Sequence, residues 1–356
     1  MISIDRSTLI TTCHASLCAT LFLLAQLVVA KDNENAAISA DALEYYLVQA
    51  FQAPTAKDRI ALNHIGIEVL PADNGFLVSA SLEGYPAHQA GIERGDKIVR
   101  VDGESFHPVF SFNARDSEPG EFIPATKVQL LEFERRGEVT SVEITPVFEN
   151  LYDSYRTATL NSIQTYSRGN KIIGYIRLWG LSRSTSDLFT LEHTMRKLKN
   201  TDGIIIDLRN SYGYLSSIHL DMFIRNGRGN FDVSDISNRH AAITSNFSPR
   251  AMRTFTRPIV ALVNSKTRGG AELFAYGLAK SGRISTLGES SPGKIGSYSV
   301  DGNTIHYSPA GRLLIDGQDF ESTGLIPDDA VPFPFTESRR SDPQFETAAS
   351  ILSGII

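Results

Sequence analysis

Nucleophiles, bases and metal ligands are unevenly spread along this chain. Its two cysteines, Cys13 and Cys18, both lie ahead of Ala30. A chain cut after Ala30 therefore has no thiol nucleophile, no thiolate metal site and no disulfide. Histidines occupy positions 14, 64, 88, 107, 193, 219, 240 and 306. None belongs to an HExxH motif or a close His/Asp pair with ligand spacing. His219 and Asp221 are two apart within an expected helix and so face different sides. No metal and no cofactor is expected. What remains for covalent chemistry is the chain's hydroxyls and lysines. Loop serines ordinarily hydrogen-bond to backbone. A lysine acts as a base only where burial or nearby charge depresses its pKa.

The elements that would position these groups come in two rhythms. Residues 36–53 carry apolar residues at helical spacing, from Ala37-Ile38 to Phe51, and Pro54 ends the run. Residues 62–147 hold short strand-like pieces: Phe76–Ala80, Lys97–Val101 running into Asp102-Gly103, and Thr126–Arg135 with Val139–Pro146 across an Arg136-Gly137 turn. Pro86–Gln89 reads as a short helix closed by Gly91. The second half alternates strands (Lys171–Leu178, Gly203–Leu208, Pro258–Val263) with helices (Leu188–Lys199, Gly270–Ala279), which implies a layered α/β domain. A linker is expected near 148–170.

Composition sets the outer limits. A chain of 356 residues suggests two folded units. With 42 % hydrophobic and 21 % charged residues it can bury a sizeable core, and disorder throughout is excluded. The net charge of −6 is interspersed, with no basic stripe, so nucleic acid is a poor partner. Arg6, the apolar run Leu17–Ala30, and Val28 and Ala30 ahead of Lys31 read as a secretory signal cut after Ala30. The protein is then exported, periplasmic or secreted. An uncleaved anchor would instead keep it near a membrane, although the run is shorter than the ~20 residues a span needs.

Residues 64–106 resemble a PDZ domain. The matching stretches are Ile65-Gly66-Ile67, Ala87-His88-Gln89-Ala90-Gly91-Ile92, Arg94-Gly95-Asp96-Lys97-Ile98 and Val101-Asp102-Gly103. The resemblance implies peptide binding at Ile65, Gly66 and Ile67. There, backbone amides can nest a terminal carboxylate while the peptide adds as a strand.

Most of 171–352 resembles the core of the C-terminal processing (tail-specific) serine peptidases. The matching pieces, in order, are Gly174–Arg177, Ile206-Asp207-Leu208-Arg209-Asn210, Pro258–Asn264, Ala271-Glu272, Gly288-Glu289, Gly293-Lys294, Gly324–Asp328 and Asp342-Pro343-Gln344. The resemblance implies an α/β fold with a ClpP/crotonase-like peptidase core beside the mainly β PDZ domain. Its boundaries are a signal peptide at 1–30, a helical lead-in at 31–61, the PDZ-like domain at 62–148 and the α/β domain at 149–356. The implied partners are polypeptide C-termini or unfolded extracytoplasmic proteins.

Members of that family cleave peptide bonds with a serine–lysine pair and an amide-lined oxyanion hole. By resemblance Lys294 is the base. The serine falls at 269, where this chain reads Thr267-Arg268-Gly269-Gly270-Ala271-Glu272. Gly269 has no hydroxyl to attack a carbonyl. Gly213 and Gly270 can still offer oxyanion amides. Two further departures are Ser211-Tyr212-Gly213-Tyr214, where the family has paired glycines, and Ile295-Gly296-Ser297-Tyr298, where it often has a glutamine. Two functions follow as expectations: a serine endopeptidase with a relocated nucleophile, for which Ser265 in the same loop and Ser290 and Ser291 ahead of Lys294 are the candidates, or a peptide-binding protein on a peptidase scaffold that does not cut.

Overall fold

The least ambiguous apolar runs of the chain form the centre of the structure. A computed structural model describes residues 37–182, 184–224, 243–244, 255–309, 314–315, 317–335 and 341–355. The expected signal segment with both cysteines, and His240, lie outside them.

Along the chain, β1 (Ile38–Ser39) and α1 (Leu43–Gln52) form the lead-in. They are followed by β2 (Leu62–His64), β3 (Ile67–Ala72), β4 (Gly75–Ser81), α2 (Pro86–Gln89), β5 (Lys97–Val101), β6 (Glu104–Ser105), β7 (Gln129–Arg135), β8 (Glu138–Ile144) and β9 (Val147–Glu149). Strands β3-β4-β5-β7-β8 make an antiparallel sheet in that order, and among the described residues no strand pairs with the outer side of β3. The β7–β8 hairpin turns at Arg136 (φ 57°) and Gly137 (φ 81°). Two left-handed residues match a turn whose twist suits flanking strands. Its core gathers Ile65, Ile67, Val78, Ala87, Ile98, Leu131 and Phe133.

The core domain continues with α3 (Leu151–Asn161), β10 (Gln164–Arg168), β11 (Lys171–Arg177), β12 (Gly180–Leu181), α4 (Thr185–Met195), β13 (Gly203–Asp207), β14 (Tyr212–Gly213), β15 (Leu215–Ser216), α5 (Ser217–Asp221), β16 (Ile243–Thr244), β17 (Ile259–Val263), α6 (Gly270–Ala279) and β18 (Ile284–Gly288). After these come β19 (Ser297–Asp301), β20 (Thr304–Ser308), β21 (Leu314–Ile315), β22 (Gln318–Asp319), α7 (Phe320–Thr323), β23 (Asp329–Ala330) and α8 (Pro343–Ile355). The main sheet runs β10-β11-β13-β17-β18-β23, and all its pairings are parallel except β10–β11. β13 and β17 are buried at every residue, as a parallel strand covered on both faces must be. Their alternation splits the core. Ile204, Ile206, Ala261 and Val263 face Leu273, Phe274 and Leu278 of α6. Ile205, Val260 and Leu262 face Ala348, Ala349 and Leu352 of α8.

Two expectations differ. Residues 38–39 are a strand paired with Ile305 and Thr304 rather than the start of the helix, which begins at Leu43. Ile38 gains a β partner there that helical periodicity does not encode. The stretch 148–170 carries β9, α3 and β10 rather than an open connection. In α3, Asn150 caps the first turn by accepting the Asp153 N–H, and one face buries Leu151, Tyr152, Tyr155 and Ala158. These residues join Tyr45, Tyr46, Val48 and Phe51 of α1 in one aromatic-rich cluster between the two domains.

Candidate active site and peptide cleft

The turn after β17 is built by its own side chains. Asn264 donates its backbone N–H to Thr267 Oγ1 (3.0 Å), and its Oδ1 accepts the N–H groups of Lys266 (3.1 Å) and Asn210 (3.0 Å). Thr267 Oγ1 donates to Leu208 O at 2.8 Å, which ties the turn to the end of β13. Arg268 N–H reaches Ser211 O (3.0 Å), and Gly269 N–H reaches Lys294 O (2.8 Å). Gly269 then caps α6 with φ 65° and ψ −135°. A Cβ at Gly270 would lie 2.2 Å from Leu215 N, so only glycine lets α6 start this close to the 214–215 backbone.

The backbones of Gly269, Gly270, Gly213 and Lys294 meet at this turn. Their orientation is specific. The Gly213 group nearest position 269 is its carbonyl oxygen, 3.0 Å from where a Cβ would stand. Lys294 is half-buried and directs its Nζ over the Tyr307 ring, 5.8 Å from the centroid. Its backbone is held from below by Glu272, whose Oε1 accepts the Gly293 N–H at 2.6 Å. Glu272 is fully buried, and its Oε2 has no hydrogen-bond partner among the described residues. Burial pushes this carboxyl up to about 7, only partly offset by hydrogen bonds from Ser291 and the Gly293 amide.

The loop serines are placed apart from this work. Ser265 and Ser290 are exposed. Ser291 is buried, and its Oγ accepts the Leu325 N–H at 2.9 Å. Ser211 Oγ is buried beside the turn, without a partner among the described residues. Among the described residues no group of three His, Cys, Asp or Glu side chains is arranged to hold a metal ion.

On the peptide side, Ile65 and Ile67 are core residues of the β domain. The Gly66 N–H is not free to nest a carboxylate: it donates to His64 Nδ1 at 3.1 Å. His64 is fully enclosed, and burial lowers it to about 4, so it stays neutral and can accept. Gly66 itself is required by close approach, since a Cβ there would meet Tyr85 Cβ at 2.3 Å. A cavity of about 370 Å³ runs along β3 past Phe76 and Pro108, under Leu43, Glu44 and Leu47 of α1, and ends at Lys266 and Arg268. The β domain's edge strand thus opens directly onto the turn that carries position 269. Glu68 of β3 locks this junction: its Oε2 accepts from Asn210 Nδ2 at 2.6 Å, and its Oε1 accepts from the Tyr155 hydroxyl.

Sequence reasoning missed Glu44, Glu68 and Arg268. Arg268 was visible as a cation immediately before position 269, but its partner lies on α1, far away in sequence.

The fold is that of an α/β protein with a ClpP/crotonase-like core beside a PDZ domain. The sequence profile of peptidase family S41 matches residues 172–331, and the chain is a homologue of the C-terminal processing proteases of that family. It is 28 % identical over 298 residues to the carboxyl-terminal-processing protease of Synechocystis, covering 81 % of this chain and 67 % of that protein. It is 27 % identical over 278 residues to the carboxy-terminal processing protease CtpA of Bacillus subtilis, covering 76 % of this chain and 56 % of that one. A crystal structure described as an S41 protease from Bacteroides fragilis shares the fold at a TM-score of 0.54 and 16 % identity, over 92 % of this chain and 88 % of that chain.

Proposed function

We propose that this protein binds extended polypeptide segments, with their C-termini, in the cleft along β3 and does not hydrolyse them through a serine. One observation carries the reading: position 269 keeps its place beside Lys294 and at the head of α6, and it has no side chain. Acyl transfer by a serine–lysine pair needs a hydroxyl within hydrogen-bond reach of its base, roughly 2.6–3.2 Å. Of the loop serines, Ser265 and Ser290 are exposed and Ser291 Oγ accepts the Leu325 N–H; Ser211, whose buried Oγ lies beside the turn, is the hydroxyl that the cleavage measurement below addresses. The outer side of β3, which no strand pairs among the described residues, and the adjoining cavity supply what a bound strand needs: backbone groups and apolar walls. The names of the relatives refer to carboxyl-terminal processing, which supports C-termini as the ligand. Export to an extracytoplasmic compartment is part of the same proposal and rests on the apolar segment ahead of Lys31.

The test uses the purified protein and a labelled unstructured peptide, with binding followed by anisotropy and cleavage by mass spectrometry. Binding without new peptide termini is expected. Cleavage by the unmodified protein would overturn the proposal and point to a relocated nucleophile.

A further inference from the structure

Arg268 is an unusual residue for a turn. Its side chain is only 9 % exposed, yet it borders the cavity beside β3. Nη1 donates to Lys266 O at 3.3 Å, and the guanidinium lies 5.1 Å from the Tyr212 ring centre. Nε is buried with no partner among the described residues. Its ion-pair partner is Glu44 of α1, with Nη2–Oε1 3.2 Å. Burial works most strongly against the Arg268 charge, and Glu44, followed by Tyr298, Glu68 and Tyr155, together outweigh it.

Glu44 is equally unusual. It sits in the first turn of α1 without capping it, and its side chain is 40 % exposed towards the cleft. Arg268 holds its carboxyl below the usual range despite partial burial, and Lys266 and Lys294 add to the effect. Three cations therefore act on one borrowed carboxylate next to position 269. The cavity's other carboxylates are already engaged: Glu68 with Tyr155 and Asn210, Asp41 with the Ser39 hydroxyl. The amide of the Gly66 loop is committed to His64.

We propose that Arg268, flanked by Lys266 and Lys294, is the receptor for a peptide's terminal carboxylate, and that Glu44 occupies it in place of that group. The inference rests on the peptide-binding reading above and moves recognition of the chain end from the Gly66 loop to the core domain. A guanidinium with an unused N–H suits a carboxylate that can take two parallel hydrogen bonds, whereas Glu44 approaches it through the single Nη2–Oε1 contact. Binding then costs the release of Glu44 to solvent, which is modest for a group already part-exposed.

The test compares one unstructured peptide in two forms, a free C-terminal carboxylate and a C-terminal amide, by anisotropy on the full chain. The unmodified protein should favour the acid. Glu44→Gln should raise the acid-over-amide ratio by roughly tenfold, the scale of one charge-assisted hydrogen bond. Arg268→Gln should abolish the preference, and Lys266→Gln, at a less buried site, should reduce it. Equal binding of both forms by the unmodified and Glu44→Gln proteins overturns this inference alone, leaving peptide binding intact. So does an acid preference that Glu44→Gln and Arg268→Gln leave unchanged. Failure of either form to bind any of these proteins overturns the peptide-binding reading and this inference with it.

Discussion

Placing a side chain at position 269 tests how the turn is built. The backbone there has φ 65° and ψ −135°, a region L residues rarely adopt. A Cβ would also stand 3.0 Å from the Gly213 carbonyl oxygen and 3.5 Å from Tyr212 Cε2. Tyr212 is buried and the Gly213 carbonyl belongs to β14, so neither moves freely. Held in this conformation a non-glycine residue costs about 1–3 kcal/mol. Gly269→Ala and Gly269→Ser should each lose that much, and in a domain of this size the midpoint of thermal unfolding should fall by about 2–12 °C. Alanine reports the backbone term; serine adds a hydroxyl facing an acceptor, the Gly213 oxygen, and should lose no more than alanine. Urea unfolding of the three proteins at one pH measures both terms. An alanine variant as stable as the unmodified chain would refute the reasoning, because it would mean the turn relaxes to an ordinary φ and the conformation at 269 is not imposed by its surroundings.

Three other perturbations follow from buried groups. Glu272, raised to about 7 from 4.5, contributes stability that is complete below about pH 4.5 and lost as pH rises towards 7; His64, lowered to about 4 from 6.5, contributes stability that is complete above 6.5 and lost as pH falls towards 4. Between these limits the slopes oppose each other, so stability by urea unfolding should be nearly flat, while Glu272→Gln should make it climb with pH by roughly 1.4 kcal/mol per unit; identical pH profiles would reject the assignment. Glu68→Ala strips the buried Tyr155 hydroxyl and Asn210 Nδ2 of their acceptor and should cost about 1–3 kcal/mol in the same measurement, with a loss under about 0.5 kcal/mol counting against the bridge between the domains. Phe51→Ala empties the space between Tyr152, Tyr155 and Tyr212 and should cost about 3–5 kcal/mol; a near-neutral result would show that α1 is not anchored there.

How much was legible depended on whether a feature is local. β13 and β17 could be read directly, because a parallel central strand must be apolar throughout. The Arg136-Gly137 turn was legible because two left-handed residues leave a compositional mark. That positions 269 and 294 belong to one site came only from the resemblance, and the backbone hydrogen bond that joins them left no mark in the sequence. Contacts between distant segments left no such trace. Ile38 looked helical until β20 claimed it. The polar outer face of α3 hid an aromatic inner face that matters only once α1 is in place. Gly66 looked like a carboxylate nest because spacing says nothing about His64 turning its Nδ1 towards that amide.

The conformation at 269 belongs to its neighbours rather than to its own residue. Arg268 N–H is fixed on Ser211, Gly269 N–H is fixed on Lys294, and Gly270 presses α6 against the 214–215 backbone. These restraints persist whatever side chain stands between them. A residue with a Cβ would carry strain there, and a glycine adopts the same angles without it. A hydroxyl at this position can therefore be absent without disturbing the turn, the lysine's backbone or the cavity leading to them. The groups that shape the cleft, Glu68, Asn210, Arg268 and Glu44, are held by one another and by the two domains, and none of them depends on position 269 for its place.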